Sequence, residues 1–382
     1  MGRRQRALEH LESARNMTPN WNLDFWRGRR VLLTGHTGFK GAWLAGWLHR
    51  LGAVVTGFSL PAPAYESPAW QALEPSLCAA GMQDLRGDIR DPQALDKAVA
   101  RAQADVVLHL AAQAIVLQSY ATPEATWETN VMGCLYLLQA LVRYKRPATF
   151  IGITSDKCYE NQEWAWGYRE TDTLGGHDPY SSSKAAMEIL LASWRRSFGA
   201  TANIRIASAR AGNVIGGGDG AAHRIVPDLL RAFTEGSPAI VRRPQSVRPY
   251  QHVLEPLAGY LRLAQFVHEH GSRFEQAYNF GPAAGDERST QWLAETAAAS
   301  WGPGAQVQHA STPQPHEAGA LMLDSAKARQ ELGWHSRWSV HEAIHAAVDW
   351  HRAWLQGPQQ AVAEVFRQID NYASADQYSR KS

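Results

Sequence analysis

The chain has 382 residues, 45% of them hydrophobic, and a formal net charge of +2. That length exceeds a typical single domain and suits one α/β core with a smaller lobe, while the near-neutral charge argues against a nucleic-acid or membrane partner. No apolar run approaches the roughly 18 residues of a membrane span, and three cysteines (Cys78, Cys134, Cys158) without disulfide or metal spacing suit a reducing cytoplasm. The first fifteen residues are basic, contain Glu9 and Glu12 and lack an apolar stretch. They read as an exposed helix in an N-terminal extension, residues 1–27, rather than as a signal peptide.

Arg30 to Thr34 reads as a buried strand, followed at once by Gly35-His36-Thr37-Gly38-Phe39-Lys40-Gly41. A helix is expected from Ala42 to near Gly52, and a second strand over Val54 to Phe58. Strand, glycine turn, helix and strand within about thirty residues is the context of a dinucleotide fingerprint. Gly35 permits the tight turn, Gly38 lets the backbone approach a pyrophosphate, and Gly41 lets helix and strand pack closely. The turn residues Gly35, Thr37, Gly38, Phe39, Lys40 and Gly41 are the expected phosphate cradle, helped by free N–H groups at the helix start. An Asp or Glu usually closes the second strand to hold the adenosine ribose. Here Ser59 stands there, which can still bond to the ribose, so the expected cofactor is NAD rather than NADP. Lys40 and Arg86 are cations near a 2′-phosphate position, though ordinary surface charge is the plainer reading.

The alternation continues. Gly87-Asp88-Ile89 follows a third strand, and Asp88 can reach the adenine amine. Asp91 to Arg101 reads as a helix with Pro92 in its first turn. Val106 to Leu110 is a strand, and the small residues of Leu110-Ala111-Ala112-Gln113 suit a cofactor crossing a strand end. Asn130 to Arg143 is helical, Thr149 to Ile153 a strand, Tyr180 to Phe198 a helix, and Asn203 to Ala209 a strand. Strands alternating with helices imply an α/β fold of Rossmann type: a doubly wound parallel sheet with a smaller C-terminal substrate-binding lobe. The expected boundaries are a dinucleotide domain over 28–212, to which later segments return, a lobe over 213–365, and a polar tail over 366–382 that is mobile from residue 371. Further on, Ala239 to Arg242 reads as a strand and Leu254 to His268 as a helix. Ala277 to Phe280 reads as a strand turning at Gly281, and Asp324 to Gly333 as a helix with a glycine stop.

Two segments, one at the carboxyl end of a strand and one at the start of a helix, carry the chemistry. The first is Thr154-Ser155-Asp156-Lys157. The second is Tyr180-Ser181-Ser182-Ser183-Lys184, in which Tyr180 and Lys184 lie one helical turn apart on one face. An ammonium close to a phenol favours the phenolate, lowering its pKa from about 10. Tyr180 would then be a base near neutral pH. Thr154 would meet the cofactor, and Ser155, Asp156 and Lys157 add a hydroxyl, a carboxylate and a second amine.

With these residues in place, the chain resembles the extended short-chain dehydrogenase/reductase family of nucleotide-sugar enzymes, and within it the CDP-glucose 4,6-dehydratases. The resemblance runs from about Arg29 to Trp350. It rests on the turn Thr34 to Gly41, on Thr154-Ser155-Asp156-Lys157-Cys158-Tyr159, on Gly175 to Tyr180, on Asn213 to Asp219 and on Arg248 to Pro256. Relatives acting on dTDP-glucose carry Thr-Asp-Glu where this chain has Ser155-Asp156-Lys157, and the lysine points to the CDP-sugar branch. The chain departs from the family pattern at Leu117, Gly220 and His223, near the expected substrate pocket.

The resemblance implies a hydro-lyase that converts CDP-D-glucose to CDP-4-dehydro-6-deoxy-D-glucose, a step in deoxysugar and polysaccharide (O-antigen) biosynthesis. Tyr180 would take the proton of the 4-hydroxyl while NAD accepts hydride from carbon 4, with Lys184 holding the phenolate and the nicotinamide ribose. Ser155 would bond to the 4-oxygen, Lys157 would take the proton of carbon 5, and Asp156 would protonate the departing 6-hydroxyl before hydride returns to carbon 6. An acid Asp156 needs a raised pKa and a basic Lys157 a lowered one; burial pushes both that way and their mutual ion pair opposes it. Asn213, Arg224 and Arg248 would meet the substrate diphosphate, with Gln251 and His252 in support and Arg242 and Arg243 solvated. A homodimer through the helices after the fourth and fifth strands is implied, with a tetramer the alternative. Two other functions remain open on these residues: an epimerase or dehydratase for another nucleotide sugar, and a non-catalytic NAD-binding scaffold.

Overall fold

A computed structural model of the chain describes residues 21–61, 66–310 and 321–378. The helix expected within the first fifteen residues and the last four residues of the tail lie outside the described residues.

Seven parallel strands form the central sheet: β1 (Arg30–Thr34), β2 (Val54–Ser59), β3 (Gln83–Arg86), β4 (Val106–His109), β5 (Ala148–Ile153), β6 (Ile204–Ala211) and β7 (Ala277–Phe280). Their order is β7-β6-β5-β4-β1-β2-β3. The Val31-Leu32-Leu33 and Phe150-Ile151 runs are buried on both faces, as strands covered by helices on each side must be. The order reverses between β1 and β4, which opens a crevice at the carboxyl ends of those strands.

Helices start where the local chemistry allows. Helix α1 (Phe39–Arg50) begins at Gly38 and ends with His49 and Arg50 before Gly52 at φ +75°. Helix α2 spans Pro68–Ala79 and is capped by Ser67. Helix α3 (Pro92–Ala102) is capped by Asp91, whose side chain accepts from the Gln93 N–H, and Pro92 sits where a missing N–H costs nothing. After β4 come two short helices, Val116–Ala121 and Pro123–Trp127, a π-turn over Glu128–Met132, and α4 (Gly133–Tyr144). Helix α5 (Pro179–Ser197) is capped by Asp178, which accepts from the Ser181 N–H at 2.9 Å. Leu95, Leu137, Leu138 and Leu191 close one face of the sheet, and Trp43, Leu44, Leu257 and Leu261 close the other.

The second lobe has its own core, with Val226, Leu229, Phe233, Val241, Leu293 and Ile344 in contact. They come from α6 (Ile225–Thr234), α8 (Thr290–Trp301), α9 (Val340–Gln356) and the strand Ala239–Val241. Between these, α7 (Leu254–His270) and β7 return to the sheet. The Trp43 indole on α1 donates to the Gly217 carbonyl at 2.8 Å and ties the lobe to the sheet domain.

The expected mobile tail is corrected. Residues 358–378 form α10 (Pro358–Tyr378), and Ile369 and Tyr372 are buried. Polar composition hid a narrow apolar face at helical spacing, Val365, Ile369 and Tyr372, that docks on the sheet domain's core. No helix among the described residues is long and apolar enough to cross a membrane.

Candidate active site

The glycine turn has the geometry its sequence requires. Gly35 sits at φ +75°, and a Cβ there would lie 2.7 Å from the Ala111 nitrogen. A Cβ on Gly41 would lie 2.0 Å from the Gly35 carbonyl oxygen, so α1 can approach β1 only with glycine at this position. Gly38 caps α1 without a side-chain hydrogen bond. Thr37, Phe39 and the neighbouring N–H groups thus line a bare helix start, the natural seat of a pyrophosphate.

Ser59 ends β2 as expected, but it belongs to a chain of contacts. Its hydroxyl meets His36 Nδ1 at 3.0 Å, and His36 Nε2 meets Asp84 Oδ1 at 2.8 Å. Arg86 is held by Asp84 at 2.7 Å and Glu66 at 2.7 Å, so its charge is already matched. Burial opposes ionisation of Asp84, yet His36 and Arg86 hold its carboxyl below the ordinary value. Asp88 follows β3 and is gripped by Arg90, whose guanidinium donates at 2.7 Å and keeps the carboxyl low. Ile89 beside it is buried. Leu110, Ala111 and Ala112 lead away from β4, with the Ala111 N–H donating to Thr34 Oγ1. Gln113 uses its side chain on Thr126 and on the Ile115 N–H, in the loop after β4.

The two chemical segments come together at the end of β5. The Ser155 hydroxyl donates to Asp156 Oδ1 at 2.9 Å and hydrogen-bonds Tyr180. Asp156 is buried, and its Oδ2 has no hydrogen-bond partner among the described residues. Burial raises its pKa against the pull of Lys157, Ser155 and Lys40, so the expected contest between burial and ion pairing is won by burial. A Cβ on Gly212 would lie 3.0 Å from Asp156 Oδ2, so only bare backbone stands beside that free oxygen.

One expectation is corrected. The Tyr180 phenol is pushed up to about 12, not down. Burial is the main cause; Ser155 and Arg224 favour ionisation and Asp156 opposes it. The Lys184 ammonium donates to the Ile153 carbonyl at 3.3 Å. Burial holds Lys184 itself down to about 8, with Cys134, Glu188 and Cys158 opposing. One-turn spacing places the pair on one face, but desolvation of the phenol sets the direction of its shift.

The second lobe presents cations to this centre. Arg224 pairs with Asp219 at 2.9 Å and acts electrostatically on both Tyr180 and Lys40. Asn213 follows Gly212 beside Asp156, and its carbonyl accepts from the Gln251 N–H. Arg248 is largely buried and is followed by Pro249, which packs against the Gly212 backbone. Gln251 and His252 are support, as expected. Gln251 donates to the Phe280 carbonyl, and His252 is buried against Trp43 and Trp338 with its pKa held at about 3 by burial. Lys40 is not an adenosine-side residue. Burial and Arg224 push it down to about 8, and Asp156, Lys184 and Asp219 act on it, which places it on the catalytic side of the turn. Leu117 is half exposed on a surface helix.

A model of the GDP-mannose 4,6 dehydratase family matches residues 32–347. The chain belongs to this family. The motifs resembled the same extended short-chain dehydrogenase/reductase dehydratases. The chain is 43% identical over 92% of its length to a CDP-glucose 4,6-dehydratase of Salmonella typhimurium, covering 98% of that protein. It is 29% identical over 71% of its length to a dTDP-glucose 4,6-dehydratase of Streptomyces antibioticus, covering 78% of it. Its fold matches the dTDP-glucose 4,6-dehydratase of Streptomyces venezuelae solved with NAD and TYD bound, with TM-score 0.72, 21% identity, and coverage of 85% of this chain and 97% of that one. A UDP-glucose 4-epimerase of Thermotoga maritima matches equally well, with TM-score 0.73, 22% identity and coverage of 85% and 99%.

Within this dehydratase-family chain, sequence reasoning missed three supports of the site. Asn130 sits in the π-turn, fully buried; it accepts from the Gln113 N–H and donates to Ser183 Oγ, fixing the loop after β4 to α5. His36 and Asp84 back Ser59. Glu188 lies four residues beyond Lys184, and continuing the Tyr180–Lys184 spacing by one more turn would have found it.

Proposed function

We propose that this chain dehydrates CDP-D-glucose to CDP-4-dehydro-6-deoxy-D-glucose with NAD as a resident cofactor. The observation that carries the reading is Asp156: a buried carboxyl biased toward its protonated form, one residue from Lys157 and joined through Ser155 to Tyr180. An epimerase needs the tyrosine and lysine alone; an elimination needs an added acid and base on neighbouring carbons. The likeness to the Salmonella protein favours the CDP-sugar.

The turn fits a dinucleotide, because Gly35 and Gly41 clear the path a Cβ would block and Gly38 leaves the helix start uncapped. Gly35, Thr37, Gly38, Phe39 and Gly41 would hold the pyrophosphate, Ser59, Asp88 and Ile89 the adenosine, and Leu110 to Gln113, Thr154, Tyr180 and Lys184 the nicotinamide end. Lys40 would reach past the pyrophosphate toward the sugar. When bound, NAD supplies hydride acceptance at carbon 4 and hydride return at carbon 6. Tyr180 Oη takes the 4-hydroxyl proton, and its high pKa in the free chain means that a nearby positive charge must favour its ionisation before it can do so. Ser155 Oγ holds the 4-oxygen. Lys157 Nζ takes the carbon-5 proton, and the Asp156 carboxyl donates to the leaving 6-hydroxyl. Asn213, Arg224 and Arg248 hold the diphosphate, a guanidinium forking onto phosphate oxygens.

The test is incubation with CDP-glucose, dTDP-glucose and UDP-glucose, followed by the alkali-induced absorbance of a 4-keto sugar. Signal with CDP-glucose above the others is expected; signal only with another nucleotide sugar overturns the substrate, and an epimerised product without a 4-keto signal overturns the reaction. We further propose a cytoplasmic enzyme of deoxysugar and polysaccharide synthesis that pairs as a homodimer. Exposed Leu117, Tyr120 and Trp127 after β4 and Ile189 on α5 support pairing through that face. A tetramer would need a second face, for which the exposed, packed Trp164 and Trp166 are the candidate.

A further inference from the structure

Glu188 is a fully buried carboxylate that the reaction above does not use. It lies on α5 two turns beyond Tyr180 and one beyond Lys184, on the same face. Four groups converge on it. Thr154 Oγ1 donates to its Oε1 at 2.5 Å, Ser208 Oγ to its Oε2 at 2.7 Å, and Arg210 Nη2 to its Oε2 at 2.8 Å. Its fourth neighbour is Lys184, on which it acts electrostatically. Burial opposes its ionisation, but Arg210 and the two hydroxyls hold its pKa below the ordinary value, so it is a carboxylate at neutral pH.

Thr154 immediately precedes Ser155 and Asp156. Glu188 therefore clamps the strand end carrying Ser155, Asp156 and Lys157 to the helix carrying Tyr180 and Lys184. The clamp extends through Arg210, which donates to Tyr159 Oη at 2.7 Å, and through Tyr159, which donates to Asn279 Oδ1 at 2.8 Å on β7. Every residue of this chain is buried.

The groups facing Lys184 show why the charge matters. Burial raises the Cys134 thiol on α4 and the Cys158 thiol after β5, so both stay neutral. Burial keeps His109, at the end of β4, neutral. Lys40 on α1 is a like charge, and Arg210 on β6 lies beyond Glu188. Among these groups Glu188 alone is negative, and it is the one that sustains the ammonium of Lys184.

We propose that Glu188, paired with Arg210, is a positioning residue that sets both the geometry of the catalytic strand end against α5 and the charge of Lys184. The proposal rests on the dehydratase reading, and the two fail separately. A parent enzyme silent toward CDP-glucose defeats that reading; the present one is tested with whichever nucleotide sugar the parent turns over.

The experiment compares the pH dependence of kcat in the parent, in Glu188→Gln and in the double variant Glu188→Gln with Arg210→Met. In Glu188→Gln the unmatched guanidinium bears on Lys184, so kcat falls about 10- to 100-fold and the alkaline limb, where Lys184 loses its proton, moves down by about one pH unit. Removing both charges returns that limb toward the parent position. A Glu188→Gln profile superimposable on the parent, or a double variant displaced as far as the single one, overturns the proposal. Should Glu188→Gln not fold, Ser208→Ala loosens one bond to the carboxylate; a smaller displacement in the same direction supports the proposal, and none overturns it.

Discussion

The turn at Gly35–Gly41 and the strand end at Thr154–Lys157 lie at the same edge of one sheet, yet they are built on opposite principles. The turn works by the absence of side chains: a Cβ at Gly41 would fall 2.0 Å from the Gly35 oxygen, and no charge is needed to shape it. The strand end works by side chains taken out of water. Asp156, Tyr180 and Lys184 are all buried, and burial is the leading cause of every shift among them. The first region should therefore fail when volume is added, and the second when charge or a proton site is changed at constant volume.

The strongest way to break this contrast is Tyr180→Phe, which removes a single oxygen and little volume. Turnover should fall about 1,000-fold, with circular dichroism and Tm close to the parent. Residual activity near the parent level would remove Tyr180 from the chemistry. At the turn the opposite change is predicted to act. Gly41→Ala adds one methyl group against backbone and should cost about 3 kcal/mol in a denaturant titration, with weaker NAD binding in a direct titration. Unchanged stability would mean that α1 and β1 can separate without loss.

The same contrast explains what the sequence could disclose. Steric demands leave a mark on residue type, so Gly35, Gly38 and Gly41 between a strand and a helix announced the turn, and the alternation of apolar runs announced the parallel sheet, though not its strand order. Alternation also located Ser155 and Asp156 at a strand end and Tyr180 and Lys184 at the start of a helix. Electrostatic outcomes leave no such mark. Tyr180 and Lys184 one turn apart suggested a lowered phenol pKa, but burial depends on what the rest of the chain packs around the pair, and it drove the phenol to about 12. Lys40 looked like a surface cation because the charges that act on it, Asp156 and Arg224, lie more than a hundred positions away in the chain. The helix ending at Tyr378 was missed for a related reason: three apolar residues at helical spacing are weak evidence until the surface they cover is known.

A third change probes the substrate side, where shape and charge act together. Arg248→Lys keeps the positive charge but loses the forked donors that match phosphate oxygens. KM for CDP-glucose should rise about 10-fold with kcat little changed, since a phosphate contact made equally in ground and transition states affects binding alone. A fall in kcat at constant KM would place Arg248 nearer the reacting carbons than the diphosphate.

The smallest expected effect is on stability, and it separates a charge cost from a packing cost. Asp156 has a pKa raised in the folded chain, mainly by burial, so the folded state binds its proton more tightly than the unfolded state does. Its stabilising contribution is present below the unfolded carboxyl pKa of about 3.9 and is lost as pH rises through the higher folded value. At neutral pH the site thus carries a buried group whose ionisation is disfavoured and whose Oδ2 lacks a partner. Asp156→Asn keeps the shape and removes that ionisation. Tm at pH 7 should rise, by the equivalent of about 1 kcal/mol, and the gain should shrink as the pH is lowered and the parent carboxyl takes up its proton. A gain independent of pH would point to packing instead. A loss of stability that grows as the pH rises would show that the ionised carboxylate contributes to the folded state, and Asp156 could not then serve as the acid of the elimination.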